Sequence, residues 1–249
     1  MKRMIAFDLD GTLAESKQPI QPDMAALLSL LLGVAEVAVI SGGDWPQFET
    51  QVVERLPADA NFARLWIMPT TGTKLYRFEG GAWKAVYADI FSAEERKHIV
   101  DALDHAAEAG GLNQGQVWGE RIEDRGSQIT FSGLGQQAPL DAKKAWDPDF
   151  VKRKALQASL QKELPDLSIN VGGSTSIDIT RKGIDKGYGM HRLTDQSGIA
   201  FEHILFMGDA IYPGGNDDPV RIAGIDVIKV RDVAETRTAI TAVIACMKG

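Results

Sequence analysis

The stretch Phe7-Asp8-Leu9-Asp10-Gly11-Thr12-Leu13 decides how the rest of the chain is interpreted. The apolar run Met4–Phe7 leads into it, is too short for a helix, and gives way to two carboxylates and a glycine. Short apolar runs that stop at polar, glycine-containing turns are typical of buried parallel strands. We therefore predict that a first strand brings Asp8 and Asp10 to one edge of a parallel sheet.

The segments that follow alternate between helix and strand. A helix predicted to begin at Pro22 leads to a second apolar strand, 37–40, which ends at Ser41-Gly42-Gly43. A helix over about 44–56 and a third strand over 65–68 come next. This alternation predicts the α/β class, with a Rossmann-like core in which helices cover both faces of a parallel sheet.

The middle of the chain has a different pattern, in which antiparallel-looking strands are accompanied by two helices. We expect strands at 73–78, 83–87, 116–122, 127–131, 167–171 and 175–180, and helices at 93–109 and 149–164. Strands that follow one another with few helices between them indicate an α+β domain. We predict that this α+β cap domain, residues 82–184, is inserted into the core.

After Gly183 the first pattern returns. Apolar strands are expected at 204–207 and 227–230, and a closing helix at 234–247. The predicted domains are therefore a catalytic core made of residues 1–81 and 185–249, and the cap between them.

Composition and charge exclude several classes of protein. The 249 residues are 44% hydrophobic and 24% charged, as in ordinary globular enzymes. A net charge of −7 disfavours partners such as nucleic acid and anionic membranes. The single cysteine, Cys246, excludes an internal disulfide and a thiolate zinc site. Because we find no apolar run near the roughly 18 residues that span a bilayer and no signal-peptide core, we expect a cytoplasmic location.

Reactive side chains stand at three predicted strand ends, namely Asp8 with Asp10, then Ser41, then Asp209. Ligands of an open parallel sheet bind outside the carboxyl ends of its strands, so these groups should meet at one rim. A carboxylate there can attack phosphorus and form an aspartyl-phosphate, and neighbouring carboxylates can bind Mg²⁺. The pattern predicts Mg²⁺-dependent phosphoryl transfer.

Further residues fit this chemistry. The Ser41 hydroxyl and the Gly42 amide can hold equatorial phosphate oxygens. Lys186, at the expected start of a helix where the insertion rejoins the core, can neutralise their developing charge. The polar loop Gly214-Gly215-Asn216-Asp217-Asp218 follows Asp209 closely and supplies groups near the metal.

These residues resemble the four motifs of the haloacid dehalogenase superfamily of phosphatases and phosphomutases. The stretch 7–13 looks like its first motif, and Ser41, Lys186 and Gly208-Asp209 with Asn216-Asp217 fall where the other three belong. The likeness is closest to the eukaryotic-type phosphomannomutases and is collinear over nearly the whole chain. Two segments carry this narrower likeness: Gly208–Asp217 is similar to that family's metal loop, and Gly173–Asp178 to its sugar-contacting strand.

The resemblance implies a role for each core residue. Asp8 would be the nucleophile, and Asp10 the general acid and base that first protonates the leaving sugar oxygen. Mg²⁺ would be held by the carboxylates of Asp8 and Asp209 and by the backbone carbonyl at Asp10. The metal loop would add Asp217 as a further ligand and Asn216 as a phosphate- or substrate-binding residue.

The resemblance also implies substrate-binding residues in the cap. The mutases bind the distal phosphate of the sugar with cap arginines, of which Arg125 matches one. The next falls on Gln136, and another falls on or near Lys143. Ser176 and Asp178 share one face of a predicted strand, so both can point toward substrate.

Two departures from the mutase pattern set the order of the functional hypotheses. Gln136 replaces an arginine, and Ser41 stands where the mutases have glycine and the phosphatases usually have serine or threonine. The leading hypothesis is a sugar-phosphate phosphatase, and the alternative is a phosphomannomutase that interconverts hexose 1- and 6-phosphates. The partner is in either case a small phosphorylated sugar, and a homodimer through the cap is left open.

Two functional hypotheses from other classes of protein are disfavoured. A receiver-like signalling domain is shorter and lacks both the insertion and a reason for the acid at Asp10. A non-enzymatic phosphosugar sensor remains a remote alternative, because all four catalytic positions are present.

Overall fold

The computed structural model describes residues 1–172 and 174–247, which form two compact units. One unit consists of Met1–Ala88 and the chain from Asp185 onward, and the other of Asp89–Ile184. The strands of the two units are, in chain order, β1 (Met4–Asp8), β2 (Glu36–Ile40), β3 (Leu65–Met68), β4 (Lys74–Glu79), β5 (Ala82–Ala88), β6 (Ile122–Asp124), β7 (Gln128–Ser132), β8 (Leu167–Gly172), β9 (Ser176–Arg181), β10 (Ile204–Gly208) and β11 (Asp226–Lys229).

Nine α-helices accompany these strands in the described part of the chain. They are α1 (Pro22–Leu32), α2 (Trp45–Gln51), α3 (Pro69–Gly72), α4 (Ala93–Ala109), α5 (Leu140–Trp146), α6 (Val151–Glu163), α7 (Lys186–Ser197), α8 (Asp218–Ile222) and α9 (Val233–Met247). No helix within 1–172 and 174–247 has the length and apolar character needed to cross a membrane.

The first unit is built on a seven-stranded sheet in the order β11-β10-β1-β2-β3-β4-β5. The first five strands in this order are parallel, and β4 and β5 extend the sheet as an antiparallel hairpin. In β1, Ile5 and Phe7 pack in the hydrophobic cluster that includes α1 and α9, while Met4 and Ala6 pack with α7. Both faces of the strand are covered, which explains its continuous apolar run. The predicted α/β fold is confirmed.

The predicted start of the insertion at residue 82 differs from the structure. Strand β5 pairs with β4 along its length and therefore belongs to the large sheet, so the second unit begins at Asp89. A hairpin has the same local sequence pattern whether it extends a core sheet or opens a new domain. Its pairing partner becomes visible only in the tertiary structure.

The second unit contains a four-stranded antiparallel sheet in the order β6-β7-β9-β8. Its apolar face packs against α4 and α6 through residues that include Phe131, Ile177 and Leu160. Because side chains alternate along a strand, Thr130 and Asp178 lie on the opposite face. The capping box of Ser92 and Glu95 begins α4, whose bounds agree with the predicted helix.

The predictions for the second unit were wrong in two places. The strand expected at 116–122 is reduced to β6, because Gly115 and Gly119 adopt left-handed backbone conformations that interrupt an extended segment. The helix α5 was not predicted, since its seven residues carry only a weak periodic signal.

Candidate active site

The candidate active site of the first unit lies at the carboxyl ends of three adjacent strands. In the sheet β1 lies between β2 and β10, with Asp8 paired to Ile40 and Phe7 to Met207. Asp8, Ser41 and Asp209 therefore follow neighbouring strand ends, although they are far apart in the sequence. This is the rim at which open parallel sheets bind their ligands.

A buried lysine joins two of the carboxylates. Lys186 is the first residue of α7, where the side chain of Asp185 caps the helix by accepting a hydrogen bond from the Tyr188 amide. The Nζ atom of Lys186 lies 2.5 Å from Oδ1 of Asp8 and 2.5 Å from Oδ1 of Asp217. All three side chains are at most 5% exposed. The predicted residues Asp8, Asp217 and Lys186 thus form one buried ionic group.

The carboxylates of this group outnumber its cation. Asp8, Asp209 and Asp217 each offer an oxygen within 4.8 Å of the others. Burial raises the pKa of Asp8 to about 7, against the opposing effect of Lys186, and Asp217 raises it further. Burial and the neighbouring Asp217 also raise the pKa of Asp209. Three clustered carboxylates beside one ammonium are the hard-oxygen donor set that a divalent cation fits.

Two glycines allow the carboxylates to approach the backbone this closely. Gly11 has φ +88°, and a Cβ there would lie 2.6 Å from Oδ2 of Asp209. A Cβ on Gly208 would collide with Oδ2 of Asp217. Any other residue at these two positions would displace a carboxylate of the cluster.

Asp10 lies in a different hydrogen-bonding environment from Asp8. Its Oδ1 accepts a hydrogen bond from the Lys17 amide at 2.6 Å, and its Oδ2 accepts one from Nε2 of Gln47 at 3.1 Å. Among the described residues, the three-carboxylate cluster consists of Asp8, Asp209 and Asp217, without the Asp10 side chain. Gln47 was not predicted from the sequence, because nothing in its local pattern sets it apart from other helical glutamines.

The predicted phosphate-binding residues Ser41 and Gly42 lie in a loop that a strained neighbour supports. The Thr71 amide donates to the Ser41 carbonyl at 2.9 Å, and the Thr70 amide donates to the Gly43 carbonyl at 2.8 Å. Thr70 and Thr71 have φ values of 48° and 60°, which cost free energy in β-branched residues. These threonines were also missed, although they follow the end of a predicted strand.

The remaining predicted residue of this unit is Asn216. It is exposed in the loop that follows β10, next to the buried Asp217. Asp217 also accepts a hydrogen bond from the Ala210 amide at 3.0 Å, which ties the two ends of the loop together.

Within the second unit, the predicted substrate-binding residue Asp178 is held by two side-chain hydrogen bonds. It accepts hydrogen bonds from Oγ1 of Thr130 at 2.7 Å and from Nε2 of Gln128 at 3.0 Å. Burial raises its pKa, while the hydrogen bond from Thr130 and the charge of Arg125 oppose that rise. Ser176 precedes it on the same face of β9. Gly173, part of the sugar-contacting segment in the sequence analysis, lies outside the described residues.

The predicted cationic residues of the second unit have partners close to them in the sequence. Nη2 of Arg125 donates to Oε2 of Glu123 at 2.7 Å, and Nζ of Lys143 donates to the Gln136 carbonyl at 3.1 Å. The structure therefore brings Lys143 to Gln136, two positions that resemble the arginine sites of the mutases.

Solved structures share the fold of this chain. The Plasmodium falciparum IMP-nucleotidase matches 99% of it, over 69% of its own length, with a TM-score of 0.75 and 15% identity. A haloacid dehalogenase-like hydrolase from Bacteroides thetaiotaomicron matches 98%, over its full length, with a TM-score of 0.64 and 18% identity. At these identities the comparison concerns the fold alone, which is that of the haloacid dehalogenase-like enzymes.

The relatives found by sequence identify the family more narrowly than the solved structures do. The phosphomannomutase of Dendrobium officinale is 26% identical over 93% of this chain and 91% of its own. Phosphomannomutase 1 of Homo sapiens is 26% identical over 92% of this chain and 88% of its own. The family model described as eukaryotic phosphomannomutase matches residues 24–243. Since that match extends over most of the sequence, the chain belongs to the eukaryotic phosphomannomutase family.

Proposed function

We propose that the chain catalyses Mg²⁺-dependent phosphoryl transfer on a phosphorylated sugar through an aspartyl-phosphate at Asp8. The observation that carries the proposal is the buried contact of Lys186 with Asp8 and Asp217 beside Asp209. A purely structural ion pair needs one carboxylate, whereas this group keeps three carboxylates and one ammonium at a sheet rim. The phosphomannomutase names of the relatives support a sugar phosphate as the substrate.

The proposed reaction assigns one task to each core residue. A carboxylate oxygen of Asp8 forms a bond to phosphorus while the bond from phosphorus to the sugar oxygen breaks. Asp10 gives a proton to the departing oxygen and takes one back from the next acceptor. Lys186 opposes the rise in the Asp8 pKa that burial causes, and it balances the charge that develops on the phosphate oxygens, which Ser41 and Gly42 hold.

The carboxylates of Asp8, Asp209 and Asp217 and the backbone carbonyl of Asp10 would hold Mg²⁺. When bound, the cation lowers the repulsion between the anionic nucleophile and the anionic phosphate. The raised pKa values of Asp8 and Asp209 support this assignment, because burial and the neighbouring Asp217 carboxylate disfavour their charged forms, and a bound cation would offset both effects.

We favour isomerisation of hexose 1- and 6-phosphates as the main activity. From the sequence alone, Gln136 and Ser41 favour hydrolysis over isomerisation. Membership of the phosphomannomutase family over most of the chain reverses that order. A mutase must return the phosphoryl group to sugar through a bisphosphate, so the second unit has to bind a distal phosphate. Arg125 and Lys143 are the residues that we assign to this task.

Net hydrolysis is the second candidate, because Gln136 is neutral where the resemblance places an arginine. The second unit, residues 89–184, carries 12 Lys and Arg against 15 Asp and Glu. A weaker hold on the distal phosphate lets water compete with sugar for the aspartyl-phosphate.

The remaining roles are also part of the proposal. The first unit supplies the catalytic groups, and the second selects the sugar through residues such as Ser176 and Asp178. We expect a cytoplasmic enzyme with no nucleic-acid or membrane partner, and the homodimer through the cap sheet stays an open prediction.

The experiment offers mannose 1-phosphate or glucose 1-phosphate with Mg²⁺ and a trace of the hexose bisphosphate. Faster appearance of the 6-phosphate than of inorganic phosphate supports the mutase. Faster release of inorganic phosphate would instead make hydrolysis the main activity. If neither product forms across a panel of phosphosugars, the proposed substrate class is wrong.

A further inference from the structure

We infer that Gln47 is a positioning residue that holds the Asp10 carboxylate in the orientation needed for proton transfer. The inference rests on the proposed function of Asp10. It begins from the contact between Nε2 of Gln47 and Oδ2 of Asp10 at 3.1 Å. Gln47 belongs to α2, which begins directly after the phosphate-binding loop 41–43.

The orientation of the Gln47 amide is determined by a second contact. Its Nε2 also donates to Oε1 of Gln51 at 2.9 Å, one helical turn further along α2. A primary amide has two N–H donors, and here both are directed at acceptors. A flipped amide would place its oxygen against the Asp10 carboxylate, which is repulsive. Gln51 is buried, so this second contact is shielded from water.

The backbone around Gln47 leaves room for the amide in this position. A Cβ on Gly43 would collide with Oε1 of Gln47, so only glycine allows the side chain to lie there. The start of α2 is anchored by Asp44, which accepts hydrogen bonds from the Trp45 amide at 2.8 Å and from Nζ of Lys74 at 2.7 Å. The helix therefore presents Gln47 from a rigid base.

Asp10 is held at both oxygens by uncharged donors. The Lys17 amide takes Oδ1, and Gln47 takes Oδ2. Two donors on two different oxygens restrict rotation of the carboxylate about its Cβ–Cγ bond. Proton transfer depends steeply on geometry, so loss of one donor should slow the steps that need Asp10. Attack by Asp8 does not use this contact.

The test compares two esters in the Gln47→Leu variant. The p-nitrophenolate of p-nitrophenyl phosphate leaves without a proton, whereas the sugar oxygen of glucose 1-phosphate needs one from Asp10. Rapid-quench, single-turnover measurements give the rate constant of enzyme phosphorylation by each ester in the presence of Mg²⁺. We expect the rate with p-nitrophenyl phosphate to be nearly unchanged. The rate with glucose 1-phosphate should fall by about tenfold, part of the 10²–10⁴-fold that a whole general acid contributes.

The matched control is Thr50→Ala, on the same helix, where the exposed hydroxyl contacts only backbone carbonyls of α2. It should leave both rate constants unchanged. If Gln47→Leu does not fold, Gln51→Leu removes the acceptor that orients the amide, and we expect the same selective effect at smaller size. Equal slowing with both esters, or no slowing with either, would overturn the inference.

Failure of the proposed function gives a different result. If the wild-type enzyme is phosphorylated by p-nitrophenyl phosphate but by no phosphosugar, the proposed substrate class is wrong. A simple alkyl phosphate then replaces glucose 1-phosphate in the same comparison, because its alkoxide also needs a proton to leave.

Discussion

The ammonium group of Lys186 donates a hydrogen bond to Oδ1 of Asp8 at 2.5 Å, across 178 positions of sequence. Burial disfavours the charged ammonium, but Asp8 and Asp217 raise the pKa of Lys186 above its ordinary value. The lysine therefore stays protonated beside the proposed nucleophile. The contact also joins the strand that begins the chain to the helix that follows the inserted unit.

Replacing the proposed nucleophile should abolish turnover without unfolding the protein. An amide in Asp8→Asn cannot attack phosphorus, although it keeps an oxygen that can accept from Lys186. We expect no phosphorylated enzyme and no product, with a circular dichroism spectrum like that of the wild type. Detection of a covalent phosphoenzyme in this variant would show that another residue is the nucleophile.

Removal of the buried ammonium should reduce both activity and stability. Lys186→Met leaves Asp8 and Asp217 facing each other without a cation, and loss of one partner of a buried ion pair costs about 3–5 kcal/mol. Urea unfolding without Mg²⁺ measures the loss. The control is Lys182→Met, which removes an exposed lysine nearby in sequence and should change the unfolding free energy little. Equal stability of the two variants would contradict the energetic role of Lys186.

Metal removal should stop the reaction while the fold persists. Excess chelator should abolish phosphoryl transfer, and readdition of Mg²⁺ should restore it. Asp209→Ala should weaken Mg²⁺ binding in calorimetry while it changes the melting temperature little, because Asp209 is only half-buried and because burial and the neighbouring Asp217 already disfavour its charged form. Full activity in excess chelator would exclude the proposed metal dependence.

Asp178 should make the stability of the protein depend on pH in a particular direction. Burial raises its pKa above the ordinary value of 3.8, so its contribution to stability is complete below that pH. The contribution is lost as the pH rises through the folded-state pKa. The Asp178→Asn side chain does not titrate, so the variant does not lose stability in this pH range. Its amide oxygen can still accept hydrogen bonds from Thr130 and Gln128.

We therefore expect the Asp178→Asn variant to gain stability relative to the wild type as the pH rises above about 4. Its Michaelis constant for the phosphosugar should rise, if Asp178 binds substrate. Melting temperatures across pH 4 to 8 provide the check. A difference in stability that does not change with pH would show that Asp178 has the same pKa in the folded and unfolded states.

The balance between isomerisation and hydrolysis should respond to residue 136. Gln136→Arg supplies a bidentate cation beside Lys143, and a charge-assisted hydrogen bond contributes about 1.5–3 kcal/mol, or at least about tenfold. We expect the ratio of 6-phosphate to inorganic phosphate to rise by that factor. Gln137→Arg, at the exposed neighbouring position, serves as the control for added charge. An unchanged ratio in Gln136→Arg would remove this position from the distal phosphate site.

Much of the core could be predicted because its signals are local. A short apolar run covered on both faces, such as the four residues Met4–Phe7 of β1, is recognisable as a buried parallel strand wherever it occurs. The capping box at Ser92 likewise defines the start of α4 within a few residues of sequence. The polar residues that follow strand ends could be assigned to one rim, since parallel strands share their direction.

Other features depend on which elements pack together, and no local pattern contains that information. The hairpin β4–β5 joins the large sheet because β4 pairs with β3, and a hairpin's sequence does not specify its neighbour. The strain at Thr70 and Thr71 depends on the hydrogen bonds that their amides make with the phosphate-binding loop.

The sequence by itself determined the fold class, and it predicted a shared rim for Asp8, Asp10 and Asp209 and a charge-neutralising role for Lys186. Only the tertiary structure decided that Lys186 joins Asp8 to Asp217 and that Gln47 contacts Asp10. The physical reason is one of range. Propensity and periodicity act over a few residues, whereas a contact between side chains on separate elements depends on the packing of the whole sheet with its helices.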